Sequence, residues 1–448
     1  MFVTRAKAGR RNWRLAAVIC LLALMAMGLA ACRGFFGQAP IALLVSDAAG
    51  DQEVPITITF DISGSSDPDG TIATYDLDYG DGSTHAKGTD VAPELDHEYG
   101  VAGTYTALLT ITDNDGRTDM ISSVVTIGPA MITFAAQRAT QFDIFRMQAD
   151  GTNQGAVVST PLYDELFPDL LRGTRDKIAY AAENGADTSW NIWTMTVAGG
   201  SLNQLTTQTL SNQIQPSWSF DGSKIAYASN AAQTPSAMTW EIYTMTALGG
   251  SQAKLTTQTP SWAIAPAYSP LNNDVLFVSN KDATTGSSIW IWKAGVGASE
   301  LYDSGVGRSG DASPVIVVGS TGLELPALAG ISKPAWSPDG TKIAFSRART
   351  DLVDAIIDIY VMDADGTDVE SLEAYVTGLA SYTGSITAAT ITSADDEFCP
   401  YWLEDGSGLV FVKVVGAGGF HVYKVSFTEG SVTPLTATGV NLSPASNR

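Results

Sequence analysis

Covalent chemistry needs nucleophiles and bases at matched spacing, and this 448-residue chain holds only three Cys and three His beside 47 carboxylates. Over residues 129–448, His421 is the single imidazole, and no Gly-x-Ser-x-Gly elbow accompanies it. Nucleophilic hydrolysis of the Ser–His–acid kind therefore has no visible seat. Three His also exclude a His-rich metal centre. No carboxylate pair of the glycosidase kind can be singled out by spacing. Two acidic sets remain. Asp67, Asp69, Asp113 and Asp115 offer hard oxygens suited to Ca²⁺, but Asp is equally a turn residue and the spacing is not that of a 12-residue calcium loop. Asp143, Asn191, Glu241 and Asp358 each precede an Ile-aromatic pair. That recurrence suits hydrogen bonding between neighbouring sheets, or a ring lining a central channel that could hold a cation. Cys399 precedes Pro400 within an apolar stretch and reads as a buried, inert thiol. Its isolation from Cys20 and Cys32 leaves the body of the chain without an intramolecular disulfide.

Cys32 has a different setting. A basic segment (Arg5, Lys7, Arg10, Arg11, Arg14) precedes an apolar run from Leu15 to Ala31, which ends in Leu29-Ala30-Ala31-Cys32. Such a run, with small residues at its end, predicts an export signal over residues 1–31. The tetrapeptide resembles the bacterial lipobox, whose Cys receives a diacylglyceryl thioether and becomes the first residue. The resemblance implies a lipid anchor on Cys32 and a short linker over 32–37. Arg33 in place of Asp favours the outer membrane in a Gram-negative cell.

The elements that follow read as strands. Residues 38–128 alternate at period two in Pro55–Ile62, Tyr105–Thr112 and Ser123–Ile127, with turns at Asp67-Pro68-Asp69-Gly70, Gly80-Asp81-Gly82 and Asn114-Asp115-Gly116. Short strands of this kind predict an antiparallel sandwich. The runs Ser66–Ile72, Tyr75–Gly82, His97-Glu98-Tyr99 and Gly103–Thr106 resemble a PKD domain, an immunoglobulin-like, non-catalytic spacer or contact module. Leu77 and Tyr79 stand where that family usually has Trp and Phe. His97 at the start of its strand reads as a packed, hydrogen-bonded residue.

From residue 129 onward the chain repeats itself. Thr194–Thr209 returns as Thr244–Thr259, and Pro216–Ala226 (PSWSFDGSKIA) returns as Pro334–Ala344 (PAWSPDGTKIA). The Ile-aromatic marker occurs six times, the last at Val422-Tyr423. Each copy predicts four strands, with Asp-Gly or Gly-Gly turns between them. One such sheet cannot bury both faces, so the copies must pack around an axis. The repeat resembles that of TolB-type propellers, which implies six blades over residues 129–448. The first copy lacks its own Pro-x-Trp strand, and residues 440–445 are placed to supply it. Gly295–Ser332 and Ser371–Glu397 read as insertions, either loops or extra hairpins.

The expected architecture is all-β: an immunoglobulin-like PKD sandwich followed by a six-bladed β-propeller. The formal charge of −22 argues against a nucleic-acid partner. The expected role is a membrane-anchored envelope protein, non-enzymatic, contacting other envelope proteins. Glycan binding or carbohydrate-active chemistry at the channel mouth is the alternative. No cofactor is expected beyond a possible Ca²⁺.

Overall fold

The computed structural model describes residues 37–48, 52–53, 56–89, 94–128, 130–138, 141–158, 163–171, 177–184, 189–209, 211–230, 240–257, 262–280, 287–303, 315–318, 323–326, 333–348, 357–379, 396–403, 406–415 and 419–446. The expected leader and Cys32 lie outside these residues. The chain divides into two compact units, Met1–Gly128 and Pro129–Arg448.

In the first unit the alternating segments become β1 (Val45–Ser46), β2 (Gln52–Glu53), β3 (Ile56–Asp61), β4 (Ile72–Asp78), β5 (Ala86–Gly88), β6 (Leu95–Tyr99), β7 (Gly103–Asp113) and β8 (Thr118–Gly128). They form a three-stranded sheet, β1-β3-β6, and a five-stranded sheet, β2-β8-β7-β4-β5. Every second side chain is buried: Ile58, Phe60 and Ile62 on one side, Tyr75, Leu77, Leu109, Ile111 and Val125 on the other. This is the burial that two facing sheets impose on strands of period two. Leu77 and Tyr79 both sit in the core. Tyr79 stacks on His97 with ring centroids 3.8 Å apart, and its carbonyl accepts the Tyr99 hydroxyl at 2.8 Å.

The repeats of the second unit become six four-stranded antiparallel sheets. The first blade contains β9 (Met131–Arg138), β10 (Gln141–Gln148) and β11 (Gly155–Val158). The second runs through β12 (Glu165–Leu170), β13 (Lys177–Asn184), β14 (Ser189–Thr196) and β15 (Asn203–Gln204). The third comprises β16 (Gln213–Trp218), β17 (Lys224–Ser229), β18 (Glu241–Thr246) and β19 (Ala253–Lys254). The fourth comprises β20 (Ala263–Tyr268), β21 (Val275–Ser279), β22 (Ser288–Lys293) and β23 (Gly297–Asp303). After a separate hairpin of β24 (Val315–Val318) and β25 (Leu323–Pro326) comes the fifth: β26 (Ala335–Trp336), β27 (Lys342–Ala348), β28 (Ile357–Asp363) and β29 (Glu370–Ser371). A short helix, α1 (Leu372–Gly378), leads toward the sixth: β30 (Glu397–Trp402), β31 (Gly408–Val415), β32 (Gly419–Ser426) and β33 (Val432–Pro434). The last strand, β34 (Asn441–Ser446), returns to pair with β9 and completes the first blade.

First strands pack on first strands in the order β34, β12, β16, β20, β26, β30 and back to β34. The ring is closed by joining both ends of the unit in one sheet. Two details depart from the sequence expectation. Gly295–Ser332 is not wholly an insertion, because β23 within it is the fourth strand of its own blade. The described part of Ser371–Glu397 is helical, with Ser371 Oγ accepting the Ala374 amide at 3.2 Å as an N-cap.

Candidate functional site at the propeller axis

The six first strands supply whatever faces the axis, and the sequence makes four of them irregular in the same way. Phe167-Pro168, Gln215-Pro216, Ala265-Pro266 and Cys399-Pro400 each put a non-glycine residue in the left-handed region, with φ of 56°, 54°, 56° and 50°. The pairing register slips at these points, between Leu166 and Asp169, Ile214 and Ser217, Ile264 and Ala267, and Phe398 and Tyr401. Proline has no amide hydrogen to give the ladder, and a bulge absorbs its presence in the strand. The residue after each proline is thereby re-aimed.

Those residues stitch the blades together. Asp169 Oδ2 accepts the Trp218 amide of the next blade at 2.8 Å, and Ser217 Oγ accepts the Tyr268 amide of the blade after that at 3.1 Å. Gln215 Oε1 accepts the Ala265 amide at 2.9 Å. Further round, the indole of Trp336 donates to the Ala267 carbonyl at 3.3 Å, and that of Trp402 to the Ala335 carbonyl at 3.1 Å. A second set of seams uses the residue just before a first strand. Asp164, Asn212 and Asp396 accept the amides of Phe142, Trp190 and Ile357 on the third strand of the preceding blade, at 2.7, 3.0 and 2.9 Å.

Lys333 and Asp169 face each other across the axis. Their blades, the fifth and second, are opposite in a ring of six, yet Lys333 Nζ lies 3.7 Å from Asp169 Oδ1. Around the pair is a narrow cavity with room for about one water molecule, whose walls include Ser217, Tyr268, Trp336 and Tyr401. Cys399 is near the same lysine. As a residue it is half-buried, but enough protein surrounds its thiol that burial pushes the pKa up to about 11, with the charge of Lys333 pulling the other way. This is an unreactive thiol at neutral pH.

The residues singled out by their recurrence stand elsewhere. Asp143, Asn191, Glu241 and Asp358 lie on β10, β14, β18 and β28, the third strands, two strands out from the axis, and all are buried. They do not form the channel-lining ring that was one of the two expectations. Two of them bond within their own blade. Asn191 Oδ1 accepts the Thr206 hydroxyl at 3.1 Å and Glu241 Oε2 accepts that of Thr256 at 2.6 Å, each Thr following the fourth strand of the same blade. The same Thr oxygens accept the Ile192 and Ile242 amides at 2.8 and 2.9 Å, so each pair ties the end of a blade to its own third strand. Lys254 adds an ion pair to Glu241 at 2.9 Å. His421 occupies the equivalent place in the sixth blade, and none of the described residues hydrogen-bonds its buried Nδ1.

In the first unit the four aspartates are spent on turns. Asp69 accepts the Gln38 amide at 2.9 Å, Asp67 accepts the Asp69 amide at 3.3 Å, and Asp113 accepts the amides of Asp115 and Arg117, both at 2.8 Å. The Arg117 guanidinium lies 2.6 Å from Asp115. Among the described residues, no group of three or more His, Cys, Asp and Glu is gathered for a metal. No described helix is long and apolar enough to cross a membrane.

Residues 38–127 match the PKD domain family. A microbial collagenase from Vibrio alginolyticus is 37% identical over 89 residues, 20% of this chain and 10% of that protein. Collagenase ColA of Clostridium perfringens is 28% identical over 161 residues, 34% of this chain and 14% of its own. The chain thus spans about a tenth to a seventh of the curated relatives it matches. Among solved structures, TolB from Acinetobacter baumannii aligns over 78% of this chain and 80% of its own, with a TM-score of 0.52 at 16% identity, a likeness of fold. The chain thus carries a PKD domain at residues 38–127 and, after it, a six-bladed propeller with a fold like that of TolB.

Proposed function

We propose that this protein is a lipid-anchored envelope scaffold whose propeller binds other envelope proteins and performs no chemistry of its own. The observation that carries the reading is how the polar groups at the axis are used. Asp169 is engaged by Trp218 and Lys333, while Gln215 and Ser217 each hold the next blade. Groups already committed to seams are poor nucleophiles or bases, and they make a rigid platform for rims and loops. The anchor rests on Leu29-Ala30-Ala31-Cys32 after an apolar run. Outer-membrane placement, by the residue after Cys32, belongs to the same proposal.

A glycan-binding reading has one observation in its favour, the aromatic residues Tyr268, Trp336 and Tyr401 around the cavity. All three are buried, which leaves little ring face on which a sugar could stack, so the scaffold reading is preferred. Two measurements separate the readings. Cross-linking and co-purification from membranes should return a protein partner, and a melting-temperature screen against polysaccharides should return none. Sugar-dependent stabilisation or turnover without a partner would reverse the preference. Palmitate labelling that survives Cys32→Ser would remove the anchor.

A further inference from the structure

In a propeller of antiparallel four-stranded blades, the turns from first to second strand and from third to fourth strand all emerge on one face. That face is divided. In the third blade its two turns carry Phe220 and Leu248, which are 46% and 90% exposed, and in the fourth they carry Leu271 and Val296, 62% and 80% exposed. The second blade adds Leu202, 48% exposed, just past its outer turn. Equivalent tips in the other half carry acids and no exposed large apolar residue: Asp150 in the first blade, Asp339 and Asp365 in the fifth, Glu429 in the sixth; in the apolar half Asp221 follows Phe220 and Asp274 ends the turn of Leu271.

Lysines follow the same division. Lys177, Lys224 and Lys293 stand exposed at the strand ends beside those apolar turns, one per blade, and the carboxyl of Asp221 is held below the usual range by hydrogen bonds from Ser223 and, in part, by Lys224 of its own turn. In the acidic half, Lys342 is paired with Asp363 at 2.5 Å. The asymmetry runs against the composition of the unit, in which 17 Lys and Arg face 31 Asp and Glu from residue 129 to the end.

We propose that this half-face, on the second to fourth blades, docks on an anionic phospholipid surface. The apolar residues are single and sit at convex turn tips, a shape that enters a soft interface more readily than it fills a rigid pocket. In each of the three blades an exposed ammonium stands beside these tips and would meet a lipid phosphate. The carboxylates of the other half would be repelled by the same surface and would set the tilt. The docking does not require the anchor on Cys32, although an anchor would raise the local concentration of lipid.

Hydrogen exchange on the full chain tests this. Vesicles of phosphatidylcholine with phosphatidylglycerol are compared with phosphatidylcholine alone, and flotation records how much protein is bound. Amides of residues 219–223, 247–250 and 294–297 should exchange several-fold more slowly on the anionic vesicles, and those of 149–152, 364–367 and 427–430 should not change. Leu248→Asp with Val296→Asp, or Lys177→Glu with Lys224→Glu and Lys293→Glu, should abolish that protection. Protein that floats while all six turns exchange at equal rates on both vesicles overturns the docking. So does protection of the three apolar turns by a lipid-free envelope fraction, which would point to a protein on this face. The mass of the N-terminal peptide reports acylation of Cys32 separately, so the anchor and the docking can fail independently.

Discussion

A single carboxylate illustrates how the smallest features of this protein set its response to acid. Burial raises the pKa of Asp81, but hydrogen bonds from Ser83 and His97 outweigh it and bring the value from 3.8 to about 2. A carboxyl depressed on folding contributes stability that is complete above its unfolded pKa and is lost as pH falls through the folded one. The sandwich should therefore weaken between about pH 4 and pH 2, and Asp81→Asn should flatten that part of its unfolding curve, read by circular dichroism across the pH series. A slope unchanged by the substitution would refute the assignment. Cys399 offers a second test at this scale. A thiol raised from 9.0 to about 11 is almost wholly protonated at pH 8, so its alkylation by iodoacetamide should run about a hundred-fold slower in the folded protein than in denaturant. Mass spectrometry of the peptide containing Cys399 gives the rate, and labelling at the denatured rate would mean the thiol is open to solvent. The sequence suggested this inertness through the apolar neighbours of Cys399. It held no sign of Lys333 beside the thiol, because proximity around a ring is not written in local spacing.

At the level of strands and blades, the repeated Pro-x-Trp motif was legible and its mechanical consequence was not. Proline at the same place in successive first strands predicts a strand start, as it would in most sheets. Instead the strands begin three residues earlier, at Glu165, Gln213, Ala263 and Glu397, and cross the proline on a bulge. The left-handed residue before the proline could not be anticipated, since Phe167, Gln215, Ala265 and Cys399 share no side-chain chemistry. The same blindness to strand order moved Asp143, Asn191, Glu241 and Asp358 to the axis in one reading, when all four stand two strands away and Asn191 and Glu241 close their own blades. The seam residues were equally hidden, although Asp or Asn directly before a first strand, at 164, 212 and 396, is a signal that could be sought elsewhere. Their weight can be measured. Asp169→Ala removes both the acceptor for Trp218 and the counter-charge of Lys333, and should cost about 2–3 kcal/mol. Ser217→Ala removes one neutral acceptor and should cost about 1 kcal/mol. Denaturant unfolding of the two variants gives the comparison, and an equal cost would mean that the ion pair across the axis contributes nothing.

At the level of the whole molecule, the propeller is held by topology as much as by its core. Residues 441–446 pair with 131–138, so the first blade exists only when the two ends of a 320-residue unit meet. Pairing at such separation is slow to form and is not rewarded until the intervening sheets are in place. It also removes an edge: without β34, strand β9 would offer an open row of amides and carbonyls, and β12 and β30 would each lose a neighbour in the ring. The sandwich has its own buried set around Phe60, Leu77 and Tyr99 and no strand in common with the propeller. Truncation after Gly439 should therefore act on one unit alone. Calorimetry of the truncated chain should show the propeller transition lowered or lost and the sandwich transition unmoved, with hydrogen exchange accelerated first along β9. A propeller transition at its original temperature would mean that five blades and an incomplete first one hold without the clasp, and that closure by the last strand is not what stabilises the ring.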